Sequence, residues 1–170
     1  SYIVYMKSYQ VKFSQKLPIS LPEAWDFFSS PANLAKITPK EMEFIVTSEP
    51  PIDGKMYPGL IITYKVSPLF GIKLNWMTEI TQVVEEKYFI DEQRFGPFKF
   101  WHHQHHFNAI DGGVEMTDIL TYGLPFGPIG QLAHAIMIKN KVEEIFTFRE
   151  IKVNELFGKY EAPIQQQIIA

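Results

Sequence analysis

Residues 99–122 read KFWHHQHHFNAIDGGVEMTDILTY, two aromatic and β-branched runs joined by Asp111-Gly112-Gly113. Successive side chains of a strand point to opposite faces. Trp101, His103, His105 and Phe107 therefore share one face, and Phe100, His102, Gln104 and His106 share the other. Aspartate and glycine between two such runs mark a hairpin. A two-residue turn at Asp111-Gly112 pairs Ile110 with Gly113, which sets His105 opposite Asp118 and Trp101 opposite Tyr122. A turn at Gly112-Gly113 keeps the same groups on one face, and only a three-residue loop would part them.

Similar runs lie outward from this hairpin. Glu43–Ser48, Gly59–Ser67, Ile72–Val84 and Lys87–Arg94 precede it as strands, punctuated by Pro58-Gly59, Ser67-Pro68 and Gly96-Pro97. The hairpin's own strands are Lys99–Ala109 and Val114–Tyr122, and connections this short imply antiparallel pairing. Further upstream, Ser8–Leu17 alternates as a strand with Tyr9, Val11 and Phe13 on one face. Ser20 and Glu23 stand in the capping-box spacing that opens a short helix through Ala24, Trp25, Phe27 and Phe28. Ser30-Pro31 opens a second, carrying Leu34, Ala35 and Ile37, which Thr38-Pro39 closes. The last element is a helix from near Pro128 to about Phe157, roughly 45 Å long. Its apolar stripe runs through Leu132, Ala135, Ile138, Val142, Ile145, Phe146, Val153 and Leu156. The order is one strand, two short helices, six strands and one long helix. The predicted fold is α+β: a curved antiparallel sheet of about seven strands around the C-terminal helix, with 1–170 as one ligand-binding domain.

The composition excludes several classes. Formal net charge is −3 with no long basic run, which argues against a nucleic-acid partner. With no cysteine there is neither a disulfide framework nor a thiolate metal site. No apolar run reaches the ~18 residues of a membrane span, and no basic segment leads into an apolar one at the N-terminus. Stable membrane insertion is not expected, and a cytoplasmic location is. Nucleotide-binding glycine motifs, H-E-x-x-H and G-x-S-x-G are all missing. Three Trp, eight Tyr and fourteen Phe make 15% of the chain, which suits a large apolar interior.

The order of elements resembles the helix-grip fold of the START and birch-pollen-allergen superfamily, SRPBCC. The closer likeness is to its bacterial branch, found alone or joined to epimerase-like proteins labelled cell-division inhibitors. It is carried by Leu34-Ala-Lys-Ile-Thr-Pro39, Asp91-Glu-Gln93 with Gly96-Pro97-Phe98, and Trp101-x-His103-x-His105-x-Phe107. Asp118 and Tyr122-Gly-Leu-Pro-Phe-Gly127 complete the set. The resemblance implies the helix-grip fold and a ligand cavity. It implies no single chemistry, because the superfamily holds lipid carriers, hormone receptors, polyketide cyclases and oxygenase domains.

The expected cavity ligand is small and hydrophobic or amphipathic: a lipid, a polyketide-like or an aromatic compound. Trp76, Trp101, His103, His105, Phe107, Asp118, Tyr122 and Arg149 are the residues expected to meet it. Two histidines two apart on a strand can share a metal, with Asp118 as a third ligand. A single plausible carboxylate and no evident supporting groups favour a polar pocket wall instead, so neither a metal nor another cofactor is expected. Asp91 and Gln93 face away from His103 across a tight two-residue turn, whereas Asp91 faces it across a three-residue loop; the residues alone leave both open. Arg149, on the apolar stripe of the last helix, meets either a cavity carboxylate or water.

Alternate turns of an antiparallel sheet lie at one end. Leu69, Phe70, Phe95, Phe98, Leu124 and Phe126 should therefore gather as an aromatic rim around the cavity mouth, with transient membrane or partner contact, or fold inward as a plug. A carrier or sensor is the preferred reading. Its rivals are a cyclase- or hydrolase-type enzyme using His103, His105 and Asp118 as acid–base groups, and a protein-interaction module.

Overall fold

A computed structural model describes residues 7–67 and 71–162. Strand β1 spans Ser8–Leu17, and its alternating burial follows the alternation in the sequence. Helix α1, Leu21–Phe28, starts where Ser20 Oγ accepts the Glu23 amide at 3.4 Å, and it buries Ala24, Trp25 and Phe28. The next helical segment, Pro31–Ile37, is a tight 3-10 helix. Asn33 ties it back to the Phe27 carbonyl at 3.0 Å.

The strands are β2 (Ile45–Val46), β3 (Ile61–Val66), β4 (Leu74–Val84), β5 (Tyr88–Phe95), β6 (Phe100–Ile110) and β7 (Gly113–Gly123). All pair antiparallel in one sheet of order β1-β7-β6-β5-β4-β3-β2. β2 is shorter than the expected Glu43–Ser48. A 3-10 turn over Lys40–Met42 ends with Glu43 in the left-handed region, so extended pairing starts only at Ile45. Thr47 and Ser48 then both donate to the Thr63 carbonyl, which closes the ladder. The turn after Ser67, with Leu69 and Phe70, lies outside the described residues. Irregularities in β4 between Met77 and Thr78 and between Ile80 and Gln82 break its register with β5, and such bulges bend a strand.

The C-terminal helix is not continuous. Helix α2, Gly127–Ala133, passes through a π turn at His134–Ile138 into α3, Lys139–Phe157. A π turn carries an extra residue and rotates what precedes it by about 100° relative to an unbroken helix. Leu132, expected on the buried stripe, is accordingly 62% exposed, while Val142, Phe146 and Val153 are buried. Leu156 is also turned outward, because Phe157 takes the inward place four residues after Val153, its ring 5.0 Å from that of Phe27. The Ala135 side chain lies outside the described set. Among the described residues, no helix is long and apolar enough to cross a membrane.

Two apolar clusters bracket the interior. At one end Trp25 meets Phe89 and Phe107 edge-on, with Leu17, Phe28 and Val153 around them. At the other, Leu120 and Tyr122 pack under Val142 and Phe146 of α3.

Candidate functional site

Between sheet and α3 lies a cavity of about 510 Å³. β3 and β4 line it with Ile62, Tyr64, Trp76, Thr78 and Ile80, and α3 adds Ile145 and Phe146. The wall is mostly aliphatic and aromatic. Among the described residues the buried Trp76 indole N–H has no partner, and the Tyr64 hydroxyl meets Thr78 at 3.0 Å. Burial pushes the Tyr64 phenol far above its ordinary value, so it stays protonated.

One stretch of this wall is ionic. The β6–β7 register pairs Ile110 with Gly113, His105 with Asp118 and Trp101 with Tyr122, as the two-residue turn requires. The β5–β6 register pairs Asp91 with His103, the pairing expected of a three-residue loop. Two aspartates therefore flank two histidines. His103 Nε2 lies 2.8 Å from Asp118 Oδ1, and its Nδ1 lies 3.6 Å from Asp91 Oδ2. His105 Nε2 lies 2.7 Å from Asp91 Oδ2, and its Nδ1 lies 3.0 Å from Asp118 Oδ1. Arg149, reaching down from α3, meets Asp118 Oδ1 at 3.2 Å. The carboxylate, not water, is its partner.

Burial alone would raise both carboxyls. The Arg149 charge and hydrogen bonds from His103 and His105 instead hold Asp118 well below the usual carboxylate range, and contacts with the two imidazoles lower Asp91. Burial works against the charge on both histidines. It prevails at His103, with help from the His105 charge, and lowers that pKa. At His105 the hydrogen bonds to Asp118 and Asp91 overcome it and raise the pKa. Two carboxylates, one guanidinium and one imidazolium balance to neutrality, as a buried polar network must.

The structure sorts the expected ligand-facing residues. Trp76, Trp101, His103, His105 and Arg149 line the cavity. Phe107 does not; it packs edge-on with Trp25 in the adjoining core. Asp118 lies behind the two imidazoles rather than on the wall, which removes it as a third ligand beside them. Tyr122 is wholly buried beneath Phe98, its hydroxyl 2.9 Å from His134.

At the rim, Phe98, Leu124 and Phe126 line the cavity, with Phe126 80% exposed. Phe98 turns inward, 4.7 Å from Trp101. Phe95 is 67% exposed and outside the lining: alternation from Asp91 would turn it inward, but the irregularity between Met77 and Thr78 pairs it with the outward-facing Met77. Gln93 has a structural task. Its amide donates to the Phe98 carbonyl at 2.6 Å and accepts the Phe98 amide at 3.1 Å, clipping the loop that sets the Asp91 register. Gly96 permits the clip, since a Cβ there would stand 2.5 Å from the Gln93 amide oxygen. Sequence reasoning missed Tyr64, Thr78 and Ile80. Alternation along β3 and β4 places them beside Ile62 and Trp76, and that signal was available.

No protein-family model matches the chain, and no curated protein does. Solved structures do resemble it. Protein Ms6760 from Mycobacterium smegmatis is 18% identical at a TM-score of 0.61, covering 86% of this chain and 92% of its own. Ara h 8.0201 is 16% identical at 0.58, covering 88% and 99%. The major latex-like protein 151 of Panax ginseng is 11% identical at 0.62, covering 88% and 97%. At these identities the likeness is one of architecture: the chain is built on the helix-grip fold of the birch-pollen-allergen-like proteins.

Proposed function

We propose that this protein carries or senses a small amphipathic molecule, with the apolar body held between β3, β4 and α3 and the polar end against the His103–His105–Arg149 wall. The observation that carries this reading is the cavity of about 510 Å³, large enough for a lipid- or polyketide-sized ligand and lined by apolar groups with a few convergent polar ones. An interaction module has no need of such a space. The segments that resemble the epimerase-associated bacterial branch also converge here. Asp91, Trp101, His103 and His105 line the cavity and Gln93 shapes its loop, which supports placing the chain near that branch.

Mass spectrometry of natively purified against denatured protein tests the reading. The expected result is a mass difference matching one small apolar molecule, with one equivalent of a fluorescent fatty acid taken up after delipidation. Delipidated protein that takes up no apolar probe would overturn it. A second reading, acid–base catalysis, is favoured by the 2.8 Å His103–Asp118 contact, which orients an imidazole toward the cavity. Conversion of the copurified molecule during incubation with fresh protein would select it over simple carriage.

A further inference from the structure

Asp118 is the key to a different property of the same wall. A carboxylate only accepts hydrogen bonds, so the nitrogens facing it, His103 Nε2 and His105 Nδ1, are the protonated ones. That leaves His103 Nδ1 and His105 Nε2 as the nitrogens turned to Asp91 Oδ2, at 3.6 and 2.7 Å. In the metal-free protein the His105 Nε2 proton is donated to Asp91; a metal that displaces that proton meets three electron-pair donors, since ligand atoms of Asp91, His103 and His105 all lie within 4.8 Å of one another. The His105 proton is the cation that holds these groups together without a metal. A proton on His105 serves only the 2.7 Å contact and leaves the longer one unbridged.

We propose that Asp91, His103 and His105 bind a divalent first-row transition metal whose remaining coordination positions open onto the cavity. Two imidazoles and one carboxylate are a donor set for zinc, iron, cobalt or nickel rather than for calcium or magnesium. In a tetrahedral site with bonds near 2.0–2.1 Å, ligand atoms stand about 3.3 Å apart, so small side-chain adjustments close the triangle. Metal-binding histidines characteristically donate their far nitrogen to a carboxylate, which fixes the tautomer. Here one carboxylate does this for both rings, and Arg149 anchors it at 3.2 Å. Its charge offsets Asp118 and leaves Asp91 to offset one of the metal's two positive charges. The sequence left the side of Asp91 open and showed no support for the ligands. The fold turns Asp91 toward both histidines and supplies the support as Asp118 with Arg149.

The test is calorimetric titration of chelator-treated full chain with Zn²⁺, repeated with Co²⁺ and read by its visible absorption. The expected result is one equivalent bound, lost in D91N and in H105Q and weakened about 10–100-fold in D118N. H106A should bind as the wild type does, since His106 lies on the other face of β6 against Gln104. Circular dichroism checks the fold of each variant, and near-isosteric D91N decides if H105Q does not fold. Anomalous diffraction from a zinc-soaked wild-type crystal should place a peak among the three ligand atoms. No stoichiometric binding by the wild type, unchanged binding by D91N, or a peak elsewhere would overturn the proposal. None of these readouts involves an apolar ligand, so the metal site and the cargo stand or fall separately.

Discussion

Arg149 shows what one residue contributes to this wall. It was legible as a charge on an apolar stripe, but its partner was not, because Asp118 stands 31 positions away on the sheet. Arg149→Met removes one member of a buried pair and leaves the Asp118 charge uncompensated. The expected loss is about 3 kcal/mol of unfolding free energy in urea titrations, with a smaller loss in the double variant that also carries Asp118→Asn. Equal and additive losses would show the pair to be unimportant. His134 makes a second residue-scale prediction. Its ring stacks on Tyr9 at 3.4 Å and meets the Tyr122 hydroxyl, and burial with the Lys7 and Lys139 charges lowers its pKa. The unfolded chain therefore takes up a proton at this site before the folded chain does as pH falls. The site's stabilisation is complete above the unfolded value near 6.5 and is lost as pH drops through the folded value. His134→Gln should flatten the fall of Tm between about pH 7 and 5 relative to wild type. Parallel Tm–pH curves would remove His134 from the account.

At the scale of elements, strands declared themselves best. β1 has the ends read from its alternation, and the β6–β7 register has the pairing its turn chemistry required. Both are local properties, carried by periodicity and by a Gly112 with φ +73°. Gly113 is under a tighter constraint than its backbone angle suggests, because a Cβ there would run into the Leu17 carbonyl of the neighbouring strand. Gly113→Ala should cost about 2–3 kcal/mol, the upper range of overpacking. Gly112→Ala should cost about 1 kcal/mol, the strain of a left-handed alanine. Melting temperatures in the reverse order would contradict this ranking. The helix was the less legible element. A 100° projection presumes an unbroken helix, and nothing in its apolar pattern announces the π turn at His134–Ile138. Leu132, upstream of that turn, was rotated away from the sheet.

For the molecule as a whole, the cavity and its mouth are the functional question. Phe126 is on the rim, lines the cavity and is exposed, and its backbone is left-handed with φ +68°, a strain that a smaller polar residue bears no worse. Phe126→Ser should slow uptake of a fluorescent fatty acid in stopped-flow while leaving Tm nearly unchanged. A large fall in Tm with unchanged uptake would make Phe126 a plug. The α+β order, the antiparallel pairing and the face shared by His103, His105 and Asp118 were determined by the sequence itself, through patterns that span a few residues. Tertiary structure alone decided that Asp91 joins that face, that Asp118 retreats behind it, and that Phe107 and Tyr122 are core. The reason is physical. Asp91's side of the sheet depends on a loop length set by the Gln93 clip, and the cavity depends on how far bulges in β4 and a π turn hold sheet and helix apart. These are interactions between segments distant in the chain, and no local periodicity records them.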